Sequence, residues 1–431
     1  MLRKEWLVHG AWALFAAAAF VIGSGRSPEA GAGSGVEAGD SRPLGPARIR
    51  DGEAETSRAA LVAGRPGSER DGGELSKLFG GYSLEGAGLE ALAEQAFRDP
   101  NPITRRLAFS RLLEGMTAEN ALTIREQLVS LDAGDDEWRD FNYAWGALAG
   151  REAFDFAAES EERDLRATLT GWSAANPAEA LAMLDALPPD LAEQRGRLAE
   201  SVVAGLADHD LAMATDLAMR MAAEGTGRAD RMIRTVANEV LRSGSPAEAS
   251  LWADSLADGP AKGAAMDRVA GAFVREDPEA AAAWVESYAG DEYAARAVAE
   301  VGEEWAERDP QTAVAWLEGL PEGPGQNSGL SSAFGDWEDR DPQAAGEYLM
   351  GMPVSPQRDS AIAGFARGYA WQDPQTAIAW AQDIADAGLR QESLTQVGRA
   401  YFRRDPDGAR AWLETSGLSP EARQQVIEGR R

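Results

Sequence analysis

A proline-containing pair of residues recurs at a fixed spacing through the C-terminal half of the chain. The step is 32 residues, and the pairs are Ser245-Pro246, Asp277-Pro278, Asp309-Pro310, Asp341-Pro342, Asp373-Pro374 and Asp405-Pro406. A residue before proline is kept out of helical φ/ψ, its Asp or Ser oxygen can accept free backbone N–H groups, and proline fits the first helical position. Each pair therefore predicts a helix start, and the constant step predicts a repeat architecture.

Within each repeat the apolar residues predict two helices, A and B. Six residues after each proline stands an aromatic residue of helix A: Trp252, Trp284, Trp316, Tyr348, Trp380 and Trp412. Gly and Pro then interrupt the chain, and a second apolar period follows, as in Leu330, Ala333 and Trp337. Because both aromatic registers fall on the apolar faces, we interpret the tryptophans as core rather than as sugar-stacking platforms.

Less regular segments precede the strict repeats. Further hairpins are expected to start near Gly150, at Asn176-Pro177 and near Asp210, and apolar spacing upstream of them predicts a bundle of helices. The chain lacks the β-branched runs that a sheet would need. We therefore predict an all-α fold: a right-handed-type α-solenoid of about nine helical hairpins, with an N-terminal helical cap at 76–148, irregular repeats at 149–244 and regular repeats at 245–431.

The N-terminal part has the composition of an export segment followed by a tether. Arg3 and Lys4 precede an apolar run from Trp6 to Gly23, so residues 1–25 are predicted to be a signal anchor or a cleaved signal peptide. Residues 26–75 contain few large apolar side chains and are predicted to be a disordered linker. The expected location is the inner membrane with the repeats in the periplasm, or, after cleavage, the periplasm or the medium.

Charge and residue content narrow the classes of partner and chemistry. The chain has 42 Lys and Arg against 71 Asp and Glu, a formal charge of −29, which argues against nucleic acid as a partner. It has no cysteine, which rules out disulfides and thiol chemistry. Two histidines cannot form a multi-histidine metal site, and no phosphate-binding or nucleophile motif occurs, so we expect no cofactor.

The repeat resembles the helical-hairpin solenoids, the tetratricopeptide class above all, in which a proline also precedes the helix A aromatic by six residues. It is more similar still to exported bacterial proteins with Asp-Pro-x-x-Ala-x-x-Trp repeats, over residues 176–431. This resemblance implies a scaffold and no named activity.

One face of helix B is predicted to carry a binding site. If Leu330, Ala333 and Trp337 are buried, the opposite face of this helix and of the next two carries Ser328, Ser332, Gly335 and Asp339; Ser360, Gly364, Arg367 and Trp371; and Glu392, Gln396, Arg399 and Arg403. From these positions the candidate partner-binding residues are Ser332, Arg367, Trp371, Arg399 and Arg403, because Trp and Arg are enriched at binding hot spots. The alternative is that Trp371 packs on a neighbouring loop and the arginines pair with acids.

Two functions follow from these expectations. The first is an extracytoplasmic, membrane-tethered protein-binding scaffold whose partner is a protein or peptide of the cell envelope, with the membrane contacted through the N-terminal segment only. The second is a carboxylate-dependent hydrolase of the glycosidase type, for which acidic pairs such as Glu303 and Glu304 are candidates. Two acids converging in a deep pocket would favour the hydrolase.

Overall fold

Asp and Ser N-caps start the A helices of the regular repeats. The computed structural model describes residues 86–159, 162–187 and 189–429. In it the side chains of Asp277, Asp309 and Asp341 accept hydrogen bonds from backbone N–H groups three residues on, and each following proline is the first helical residue. Ser245 forms a reciprocal capping box with Glu248. The helix starts predicted from the Asp-Pro pairs are therefore confirmed.

Within the described residues the regular secondary structure is entirely helical, which confirms the all-α prediction. The first four helices are α1 Ala87–Arg98, α2 Pro102–Glu114, α3 Ala121–Ser130 and α4 Asp135–Ala149. The irregular segment contains α5 Arg151–Ala158, α6 Glu162–Ala175, α7 Pro177–Asp185, α8 Arg195–Ala207, α9 Leu211–Ala223 and α10 Ala229–Ser243, with a 3-10 turn at Pro189–Gln194.

The strictly repeated part alternates short and long helices. In chain order these are α11 Pro246–Asp254, α12 Pro260–Glu276, α13 Pro278–Glu286, α14 Ala295–Ala306, α15 Pro310–Gly319, α16 Pro324–Arg340, α17 Pro342–Gly351, α18 Pro356–Tyr369, α19 Pro374–Gln382, α20 Ala387–Arg404, α21 Pro406–Thr415 and α22 Pro420–Glu428, with a 3-10 turn at Glu292–Ala294 before α14. From α5 on, we call the odd-numbered helices A helices and the even-numbered helices B helices.

Each B helix packs against the B helix before it and the one after it, so α6 to α22 form a continuous layer. From α7 to α19 each A helix packs against the B helices of its own and the preceding hairpin. This packing of consecutive helices is that of a solenoid, in which each hairpin buries its apolar face against its neighbours.

The two aromatic registers meet at the junction between successive hairpins. A B-helix ring contacts the A-helix ring eleven positions later, with centroids 6.0 Å apart for Trp305 and Trp316 and 5.4 Å apart for Trp337 and Tyr348. The same arrangement occurs at Tyr401 with Trp412. An apolar core runs from Phe154 to Ile384 and includes the first two of these ring pairs, whereas Tyr401 and Trp412 belong to a second apolar cluster at the C-terminal end.

Close approach of neighbouring B helices changes the predicted exposure of α18. Ser360 and Gly364 were expected on the open face, but both are buried. A Cβ on Gly364 would clash with the backbone carbonyl of Ser331, so the glycine allows α16 and α18 to approach closely. The prediction was wrong because a B helix is covered from three sides over its first turns: by its A helices and by both neighbouring B helices.

The predicted N-terminal anchor and linker, residues 1–25 and 26–75, lie outside the described residues. Among the described helices none combines the length and the apolar composition that a membrane span requires.

Candidate functional site

Trp371 lies just beyond the C-terminal end of α18, in the turn that leads to the Asp373 cap of α19. Its side chain is 53% exposed, which is unusual here because the other repeat tryptophans contact the core. Arg404 of α20 donates to the backbone carbonyls of Trp371, at 2.5 Å, and Gln372. The turn is therefore held by the next B helix while the indole ring projects into solvent.

Arg403, the neighbour of Arg404 on α20, covers one face of the indole. Its guanidinium carbon lies 4.8 Å from the centroid of the Trp371 ring, within the range of a cation–π contact. Two of the predicted site residues, 32 positions apart in sequence, are thus brought into direct contact.

The other predicted residues lie on α16, α18 and α20 and make different contacts. Arg367 of α18 is exposed, and its Nη2 lies 3.5 Å from the position that a Cβ on Gly335 of α16 would take. Arg399 reaches the opposite way, to α22, where it donates to the backbone carbonyl and the side-chain oxygen of Gln425, both at 3.3 Å. Ser332 on α16 is half-buried.

The three arginines are not neutralised by nearby acids. Within the described part of the chain, Arg367, Arg399 and Arg403 form no ion pair with a carboxylate. Other exposed arginines do form ion pairs: Arg410 pairs with Asp407 at 2.9 Å, and Arg275 pairs with Glu304 at 2.9 Å. Positive charge therefore remains on α18 and α20, on the surface of a strongly acidic chain. We call Arg367, Trp371, Arg399 and Arg403 the Trp–Arg cluster.

A buried carboxyl group lies next to this cluster. Glu338 of α16 is fully buried; one oxygen accepts a hydrogen bond from Gln372 at 2.9 Å, and the other has no partner within the described residues. Burial, and to a lesser extent the charge of Asp339, raises the pKa of Glu338 to about 7.

Sequence reasoning missed the arginine that anchors the site. Arg308, Arg340 and Arg404 each precede an Asp-Pro pair, and each donates to backbone carbonyls at the end of the preceding B helix, about 33 residues earlier. The recurrence of arginine at these three positions, in steps of 32 and 64, was a visible signal. The signal is incomplete because the residue is Gly244, Glu276 and Gln372 in the other three repeats.

A second polar feature lies on the B layer further toward the N-terminus. Arg234, Asp267, Arg268, Gly271 and Glu300 line an open cavity of about 170 Å³. Asp267 pairs with Arg234 at 2.9 Å, while burial and then the charges of Asp267 and Glu304 raise the pKa of Glu300. Glu303 and Glu304, the acids named above, do not line this cavity, and no cluster suited to a metal ion occurs among the described residues.

Comparisons of the chain with protein-family models, with curated proteins and with solved structures found no match in any of the three. The resemblance to tetratricopeptide-like and Asp-Pro-x-x-Ala-x-x-Trp repeat proteins stays a prediction.

Proposed function

We propose that this protein is an extracytoplasmic, membrane-tethered scaffold that binds a protein or peptide of the cell envelope. The observation that carries the proposal is the exposed indole of Trp371 with the guanidinium of Arg403 stacked on it. An aromatic ring and an arginine fixed side by side are the side chains most enriched among residues that dominate binding energy.

The repeat architecture supports a binding role. A layer of parallel B helices offers side chains from successive hairpins at regular intervals, and solenoids use such surfaces to hold extended partners. The Trp–Arg cluster draws its members from two consecutive B helices, so a partner would contact more than one repeat.

A pull-down from the cell envelope tests the binding role. The full chain, tagged after Arg431, is compared with its Trp371→Ala variant and with Met350→Ala as the matched control, because Met350 is a 67% exposed apolar side chain on the A helix α17. We expect a protein that is recovered with the wild type and with Met350→Ala but at least tenfold less with Trp371→Ala. Equal recovery with all three would refute the binding site.

The extracytoplasmic location is motivated by Arg3, Lys4 and the apolar run that follows them. We expect activity from a reporter that works only outside the cytoplasm when it is fused after Arg431. Activity of a cytoplasm-dependent reporter at the same position would contradict the location without touching the binding role.

The alternative, a carboxylate-dependent hydrolase, has one observation in its favour, since Asp267 and Glu300 both line the cavity on the B layer. Ligand pockets usually enclose roughly 300–1,000 Å³, and this cavity has about 170 Å³. Asp267 is also held by Arg234. We therefore favour the scaffold. If the protein hydrolyses a glycan and Glu300→Gln abolishes that activity, the alternative is correct.

A further inference from the structure

We infer that the Trp–Arg cluster binds a short acidic peptide segment, with a carboxylate on Arg403 and an adjacent apolar side chain on the free surface of Trp371. This inference rests on the proposed binding function and names the chemical class of the partner.

The geometry of Arg403 leaves its hydrogen-bonding edge available. Its guanidinium stands 4.8 Å from the indole centroid and forms no ion pair within the described residues. A cation–π contact does not use the N–H donors of the guanidinium, and their planar fork is the arrangement that a carboxylate accepts in a bidentate manner. Arg403 can therefore bind a carboxylate, and no carboxylate of the described residues pairs with it.

The charges of the cluster favour a partner segment of negative charge. Arg367 and Arg399 add two further positive charges, neither of which forms an ion pair with a carboxylate of the described residues, and Arg399 donates to the neutral Gln425. A cationic segment would be repelled at this cluster. A carboxylate-bearing segment would gain charge-assisted hydrogen bonds from it.

The charge of the rest of the chain limits the length of the partner. With a formal charge of −29, the protein repels a long polyanion beyond the cluster itself. The negative charge of the chain therefore favours a partner segment with one or two carboxylates over nucleic acid, whose charge is dense and continuous.

Trp371 supplies the apolar part of the contact at a low ordering cost. Arg404 already fixes the backbone carbonyls of Trp371 and Gln372, and Arg403 already covers one ring face. Binding therefore has to immobilise little more than the peptide. The exposed indole surface suits a leucine, isoleucine or phenylalanine next to the acidic residue.

An array of random-sequence octapeptides tests this inference without assuming a particular partner. The full chain, labelled and purified in detergent, is applied to the array together with control spots of single-stranded DNA. We expect bound peptides to be enriched in Asp or Glu next to a large apolar residue. Trp371→Ala and Arg403→Gln should lower their signal at least tenfold, and Arg403→Lys, which keeps the charge but loses the planar fork, several-fold.

Arg410→Gln is the matched control. Arg410 also stacks on an aromatic ring, Phe402 at 5.2 Å, but its guanidinium already pairs with Asp407. Its replacement should leave the bound set unchanged, and melting curves of all variants identify any that fail to fold.

Three results would overturn the inference: no enriched composition, enrichment in Lys or Arg, or binding to DNA that depends on Arg403. If the array shows no acidic preference while envelope capture still depends on Trp371, the partner class is wrong and the scaffold proposal survives. If neither array binding nor capture depends on Trp371, both fail.

Discussion

Glu338 shows how a single residue sets the response of this fold to pH. The carboxyl is fully buried between α16 and the end of α18, and Gln372 is its one hydrogen-bond donor in the described structure. Because the pKa of Glu338 is raised to about 7 from the ordinary glutamate value of 4.5, the folded state holds a proton between these two pH values that the unfolded state has lost. The contribution of Glu338 to stability therefore falls as pH rises from 4.5 to 7 and then levels off.

We predict that Glu338→Gln raises the melting temperature at pH 8 and leaves it nearly unchanged at pH 4.5. The neutral amide keeps the contact with Gln372 and avoids a buried charge, a gain on the order of 1–3 kcal/mol at high pH. Thermal unfolding at both pH values measures the difference.

Glu347→Gln is the control for this pair, because the Glu347 carboxyl also accepts from a glutamine, Gln343 at 2.9 Å, but is exposed. The change in melting temperature that Glu347→Gln causes relative to the wild type should be the same at pH 4.5 and at pH 8. An equal pH response of both variants would show that Glu338 is not the buried titrating group.

At the scale of single residues, the sequence predicted those contacts that form between residues close together in the chain. Asp309 caps α15 because the proline that follows it and the free N–H groups are within three residues. Glu338, in contrast, has the sequence context of an ordinary surface acid in an acidic run, and its hydrogen-bond donor, Gln372, is 34 residues away. The exposure of Trp371 was predictable from its departure from the two aromatic registers, while its contact with Arg403 was only suggested by the shared step of 32.

Helices here are tied together by polar side chains as well as by the core. Near the start of successive B helices a long polar residue donates to carbonyls at the end of the preceding A helix: Gln326 to Leu317 and Leu320, Arg358 to Leu349, and Arg390 to Ile384. These bonds satisfy carbonyls that have no partner within their own helix. The pattern could not be predicted from residue type because the residue is glutamine at one of these equivalent positions and arginine at the other two.

Close approach of the B helices leads to a prediction for Gly364. Gly364→Ala should destabilise the protein by about 1–3 kcal/mol, because the new methyl group would force α18 away from the Ser331 carbonyl. The midpoint of urea unfolding measures the loss. Gly319→Ala is the control: Gly319 is also helical, and a Cβ there meets nothing within 4 Å.

Alanine has the higher helix propensity, so the control variant should be unchanged or slightly more stable, by up to about 1 kcal/mol. If both variants unfold at the same urea concentration, the contact between α16 and α18 is looser than described.

For the whole molecule, the constant step means that one repeat can stand in for another. Deletion of residues 310–341 joins Asp309 to Pro342 and restores an Asp-Pro pair. It also brings Tyr348 to the place of Trp316 beside Trp305, since both follow their proline by six residues. We predict that this deletion variant keeps its helix content per residue and unfolds cooperatively at a lower temperature.

Deletion of residues 310–325 is the control, because it removes α15 and the start of α16 and leaves the hairpin without its A helix. Circular dichroism should show a loss of helix per residue and a broad transition for this variant only. Equal behaviour of the two deletions would mean that the repeats are not interchangeable units.

At the scale of the whole molecule, the sequence predicted the stacking of the helical hairpins well. It predicted less well which residues of the B helices are exposed. Period and caps repeat in the chain itself, so all-α hairpins stacked in order followed from them. The open face of the B layer did not, because Ser360 and Gly364 are covered by helices whose distance from α18 depends on where glycines fall.

The environment of Lys262 has a practical consequence. It is the single lysine of the described residues, and its side chain is 5% exposed. Its Nζ pairs with Asp258 at 2.9 Å, and the ring centroids of Tyr288 and Tyr293 lie 4.7 and 5.7 Å from it. The other lysines, Lys4 and Lys77, precede the described residues. The helices α18 and α20 therefore carry no primary amine, so a dye or sensor surface attached through amines leaves the side chains of both helices chemically unmodified.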